Sequence, residues 1–276
     1  MSSEHLKLIA DVPRLSGGSM LMAMSGWMDG GAVSTGTVDG IIRGRQVTEI
    51  ATIEHDPFFI LNFPGPMELA ALFRPQVRYD KGLVADLQMP SNRFYCDPSA
   101  KLVLFVGKEP NLRWQEFAEC IFDMAARADI QRIIFIGSFG GTVPHTREPR
   151  MFASISHEHL RPILKQHGFG FSDYHGPSSF ATMLLSQCAS RDIEMMNLIA
   201  EIPGYLQGAN PPSIEAVTRR LARILNLQID LDALRRASDE WEVQISKTVS
   251  KDEELSQTVR KLEEQYDNEL ISKSHE

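Results

Sequence analysis

Four short segments concentrate the residue types that handle charge. Residues 137–147 read Gly-Ser-Phe-Gly-Gly-Thr-Val-Pro-His-Thr-Arg. Hydroxyls, unhindered glycine amides and a guanidinium fork are the ingredients of an anion site. Ser138, Gly140, Gly141, His145 and Arg147 are therefore candidate ligand-binding residues. Residues 25–31, Ser-Gly-Trp-Met-Asp-Gly-Gly, add Gly26, Trp27, Asp29 and Gly30. Residues 174–179, Tyr-His-Gly-Pro-Ser-Ser, add Ser178. Residues 201–205, Glu-Ile-Pro-Gly-Tyr, with Asn-Pro-Pro at 210–212, add Glu201 and Tyr205. In a phosphorolytic site Arg147 and the glycine amides would bind phosphate, and Glu201 or Asp29 would act on the leaving group. Each loop also has a plainer role as a turn. There the glycines take positive φ, Asp29 caps a helix, and His145 and Arg147 bond loop carbonyls.

Established catalytic patterns do not fit. Neither GxGxxG nor GxxxxGK[ST] occurs, and Gly137-Ser138-Phe139-Gly140 has the wrong spacing for a nucleophile elbow. His157-Glu158-His159 is an i, i+2 pair that does not share a helical face and lacks a third metal ligand. Cys120 and Cys188 sit on apolar helix faces and read as core. No catalytic residue, metal ligand or cofactor is assigned.

The elements that must position these loops alternate. Apolar runs at 20–24, 50–53, 102–106, 133–136 and 193–199 read as buried strands. Helical patterns at 32–42, 112–127, 157–167 and 178–190 lie between them. The first loop thus follows a strand and opens a helix, the ligand-binding edge of an open α/β sheet. Residues 56–92 are rich in Pro, Gly and Phe and read as long loops, with a short helix at 67–73 and a strand near 83–87. From 211 onward the chain turns helical, at 213–225, 231–245 and 252–270. Leu255, Val259, Leu262, Tyr266 and Leu270 form an apolar stripe on the last helix, expected to pack back on its own domain, with an oligomerisation or partner-binding helix as the alternative. The expected organisation is an α/β core over 1–210 and a helical extension over 211–276, packed on that core or between subunits.

Composition excludes several classes. The chain has 276 residues, 43 % of them apolar and 23 % charged, which excludes wholesale disorder. It carries 28 basic and 36 acidic side chains, a net charge of −8. Residues 239–276 alone hold eleven acidic and five basic groups, so no basic surface suits a nucleic acid. No apolar run reaches the ~20 residues of a membrane span. Three cysteines without a CxxC pair, and a first stretch unlike a signal peptide, point to a reduced cytoplasmic protein.

Seven segments in order resemble the proteasome assembly chaperone two family, in its bacterial and archaeal branch. They are 25–31; Arg74-Pro75; Gly107 with Glu109-Pro110-Asn111-Leu112-Arg113-Trp114; 143–147; 174–179; Ile202-Pro203-Gly204-Tyr205 with 210–212; and Leu262-Glu263-Glu264-Gln265-Tyr266-Asp267. The resemblance implies a phosphorylase/hydrolase-like three-layer α/β sandwich around a mixed sheet, with a helical C-terminal extension. It also implies self-association, with a trimer favoured. Eukaryotic relatives pair with a second chaperone to assemble the proteasome α-ring. The ending Lys273-Ser274-His275-Glu276 departs from the hydrophobic–tyrosine–any ending of some proteasome-binding proteins.

The expected function is that of a non-enzymatic oligomeric interaction protein, with a protein partner besides its own copies. The alternative is a nucleoside- or phosphate-type enzyme or binding protein using the crevice at the strand ends. An enzyme should gather Asp29, His145, Arg147 and Glu201 around one pocket; a scaffold scatters them among turns.

Overall fold

The computed structural model describes residues 3–273, with the side chain of the last of these excepted. Residues 1–2 and 274–276, on which the first-stretch and chain-end readings partly fall, lie outside the described residues. In chain order the elements are β1 (Leu6–Leu8), β2 (Gly18–Ser25), α1 (Val33–Arg43), β3 (Thr48–Ile53), α2 (Met67–Ala71), β4 (Gln76–Asp80) and β5 (Leu83–Gln88). Next come β6 (Arg93–Asp97), β7 (Leu102–Lys108), α3 (Trp114–Ala128), β8 (Ile130–Gly141), β9 (Met151–Ile155), α4 (Arg161–Gln166) and β10 (Gly170–Phe171). The chain ends with α5 (Phe180–Cys188), β11 (Glu194–Pro203), α6 (Pro211–Ile224), α7 (Asp232–Val249) and α8 (Glu253–Lys273).

Nine strands form one mixed sheet in the order β1-β3-β6-β7-β2-β8-β11-β9-β10. The four central strands β7, β2, β8 and β11 are parallel, so their carboxyl ends share one edge. Their residues are apolar on both faces, as strands covered on both sides require. One face carries α3 and α5. There Phe117 meets Phe58, Phe105 and Phe180 with ring centroids 5.1, 6.3 and 5.3 Å apart, all edge-on. Each such pair adds roughly 0.5–1.5 kcal/mol beyond its area burial. The other face buries Val38 and Ile41 of α1, Leu164 of α4 and Val217 and Leu221 of α6. The result is the three-layer α/β sandwich around a mixed sheet, extended by C-terminal helices.

The five apolar runs are all strands, yet two reach further than their apolar parts. Strand β8 continues through Gly137–Gly141 and β11 through Glu201–Pro203, so segments expected to be loops are ladder-paired backbone. Residues 157–167 split into a 3₁₀ turn at Glu158–Leu160 and the short helix α4, opened by Pro162. Strands β1, β4, β6, β9 and β10 carry too few consecutive apolar residues to stand out in the sequence. Residues 56–92 hold the expected short helix, but the expected strand has a partner: β4 and β5 form a hairpin outside the main sheet.

Candidate functional site

The loop after β2 is shaped by four features. Asp29 receives Thr35 N–H at 3.1 Å and Thr35 O–H at 2.8 Å, tying the loop to the first turn of α1. Burial lifts the Asp29 carboxyl above the usual carboxylate range, against the pull of the Thr35 bonds. Ser138 donates N–H to the Met28 carbonyl at 2.8 Å and O–H to the Gly30 carbonyl at 2.6 Å. Gly31 takes φ +64°, and a Cβ there would lie 2.7 Å from Asn210 Cβ, so only glycine admits the 210 loop. Glu109 acts as a clamp: it receives Trp27 N–H at 3.0 Å and Phe180 N–H at 2.8 Å, joining this loop to α5.

Glu201 is buried at the end of β11. It accepts the N–H groups of Thr142 (2.6 Å) and Val143 (3.0 Å) and pairs with Arg150 at 3.1 Å. A Cβ on Gly141 would come within 2.2 Å of its carboxylate, so the glycine makes room for the buried charge.

The segment 143–150 is the seat of the C-terminal helices. Arg147 grips Asp267 through two bonds of 2.9 and 2.8 Å and lies 3.5 Å from Glu263. Its hydrogen bonds hold the Asp267 carboxyl below the usual range. Thr146 donates to Glu263. Tyr266 donates O–H to the Glu148 carbonyl at 2.9 Å, and its ring carries the Arg150 guanidinium 4.5 Å from its centroid. Arg150 also reaches Glu269 at 3.0 Å. His145 contacts the Tyr205 hydroxyl through its backbone N–H (2.9 Å) and Nδ1 (2.8 Å), and Ser246 of α7 through Nε2 (3.1 Å). Two of the segments named from the sequence, 143–147 and 262–267, are thus partners.

A cavity of ≈ 660 Å³ opens beside the carboxyl ends of β2 and β8 and the middle of β11. Trp27, Gly30, Ser138 and Gly140, four of the residues singled out from sequence, line it. Asp29, Gly141, Glu201 and Gly26 lie in the neighbouring loops and strand ends without lining it. Ser178 is exposed beside it, between two lining residues, Pro177 and Ser179. His145 and Arg147 border a separate crevice of only ≈ 10 Å³. Asp29, His145, Arg147 and Glu201 therefore do not surround one pocket. Arg150 and Asn197 had no role assigned from the sequence, and Glu109 entered only within one of the resemblance segments. Asn197 carried a signal, as the polar residue inside the apolar run 193–199. Among the described residues no group of three His, Cys, Asp or Glu is placed to hold a metal ion.

The fold and its edge define a class: an α/β sandwich with a cavity at the parallel strand ends and a helical tail strapped beside it. Residues 23–249 match the family model of the PAC2 family, and the chain belongs to that family. No curated protein matches it. Among solved structures, a Mycobacterium tuberculosis protein of unknown function is 23 % identical with a TM-score of 0.86, covering 100 % of this chain and 92 % of that one. A proteasome-assembly chaperone homologue from the same organism is 25 % identical, TM-score 0.75, over 87 % and 99 %. An archaeal proteasome activator from Pyrococcus furiosus is 19 % identical, TM-score 0.65, over 89 % and 99 %.

Proposed function

We propose that the protein is a non-enzymatic, chaperone-like interaction protein that works as a homo-oligomer, a trimer in particular, in the cytoplasm. The observation that carries this reading is the arm formed by α2 and the β4–β5 hairpin. Met67 is 80 % exposed, Leu72 73 % and Leu83 75 %, and Val77, Tyr79, Val84 and Leu87 are exposed with them. A lone two-stranded hairpin is marginal in water, and a clustered apolar surface of this kind marks a contact site. The names of two similar structures, an assembly-chaperone homologue and an archaeal activator, support a protein partner as well. The commitment of Arg147 to two carboxylates of α8 disfavours phosphate binding at that loop.

Light scattering tests the reading. The full chain should show three times its 31.0 kDa mass, and Leu72→Lys with Leu83→Lys should return it to one copy. A full-length monomer overturns the homo-oligomer. A mass unchanged by the arm substitutions overturns the arm as the contact.

A further inference from the structure

Asn197 is the clearest unexplained group in the molecule. It sits in the middle of β11, only 4 % exposed, and its carboxamide oxygen is buried with no hydrogen-bond partner. Buried polar atoms are almost always paired, and an orphan needs an explanation. Asn197 also lines the ≈ 660 Å³ cavity. Its cross-strand neighbours are Phe135 on β8 and Ser154 on β9, which line the same cavity, so the three make a row across its floor.

The surroundings restrict what can bind. The walls are aromatic: Phe139 and Phe152 pack as a tilted pair with ring centroids 5.8 Å apart, and Phe171 lines the cavity with them. Trp27 and Tyr174, 64 % and 67 % exposed, add aromatic surface that is open to solvent. No lysine or arginine is among the described residues that line the cavity, and Asp173 is the single charged one. A neighbouring cation, Arg161, lies over the Phe171 ring 4.3 Å from its centroid and is already paired with Glu158. The volume lies within the range of small-molecule sites, which are mostly apolar with a few placed polar groups. The cavity shares no lining residue with α2, β4 or β5.

We infer that this cavity is a binding site for a flat heteroaromatic molecule, neutral or cationic, whose polar edge hydrogen-bonds the Asn197 carboxamide. The aromatic walls take the ring faces, because stacked and edge-on contacts favour planar partners. Asp173 at the exposed loop favours a positive substituent and disfavours an anion.

Isothermal titration of the full chain with four probes tests this: adenine, tryptamine, indole-3-acetate and inorganic phosphate. Adenine and tryptamine should bind, indole-3-acetate at least tenfold more weakly than tryptamine, and phosphate should give no heat. Asn197→Leu should weaken adenine and tryptamine at least tenfold while the chain stays folded by circular dichroism. Failure of both adenine and tryptamine to bind overturns the site, as does equal binding to Asn197→Leu. If Asn197→Leu does not fold, Asp173→Asn on the exposed loop decides. A narrowed preference for tryptamine over indole-3-acetate upholds the site, and an unchanged preference overturns it.

Discussion

Glu201 shows how a catalytic-looking residue can be structural. Its carboxylate is saturated by two backbone N–H groups and Arg150, leaving little of it for a substrate. Breaking a buried, hydrogen-bonded ion pair by neutralising one side is strongly destabilising. Glu201→Gln should therefore lower stability by about 3 kcal/mol in urea unfolding, with Arg150 left to Glu269 alone. A loss below about 0.5 kcal/mol would mean that the pair is not held as the structure shows. Residue types at 137–147 and 201–205 were visible in the sequence, but their assignments were not. A carboxylate near glycines reads alike whether it waits for a ligand or already holds neighbouring amides. Asn197 is the converse case: its polarity was legible, its lack of a partner was not.

At the scale of elements, α8 tests how much the ion pairs matter. Its stripe turns Val259 and Tyr266 inward, while Leu270 at its end stays exposed. The Arg147–Asp267 pair is partly solvated, at 32 % and 48 % side-chain exposure, so its contribution is small, below about 1 kcal/mol. Arg147→Ala should leave the midpoint of global unfolding nearly unchanged. It should still raise amide hydrogen exchange across 255–270 several-fold, because the helix end loses its strap. Unaltered exchange there would show that Tyr266 and the apolar stripe hold the helix without the arginine. The stripe was legible from its spacing. Its docking surface was not, because 143–150 lies more than a hundred residues away.

For the molecule as a whole, His145 couples the core to the tail in a pH-dependent way. Burial pushes its pKa below the ordinary 6.5, with Glu263 opposing, while Tyr205 and Ser246 bond the ring. The folded chain therefore binds this proton less tightly than the unfolded chain. Stability from His145 is complete above the unfolded value, near 6.5, and is lost as pH falls through the lower folded value. Thermal melting between pH 7.5 and 5.5 should show a falling midpoint that is shallower in His145→Gln. Identical slopes in the two proteins would remove His145 as the cause.

Local signals were enough to determine the class of the fold. Continuous apolar runs identify strands covered on both faces, and spacings of three and four identify helices that cover them. The same signals placed candidate loops at the carboxyl ends of parallel strands. Tertiary structure alone decided which charges already had partners, since the partners of Arg147 and Glu201 come from distant segments brought together by the sheet and α8. It also decided where open space remains. A cavity is a property of packed surfaces, and no single stretch of sequence encodes the distance between Phe135, Phe152 and Asn197.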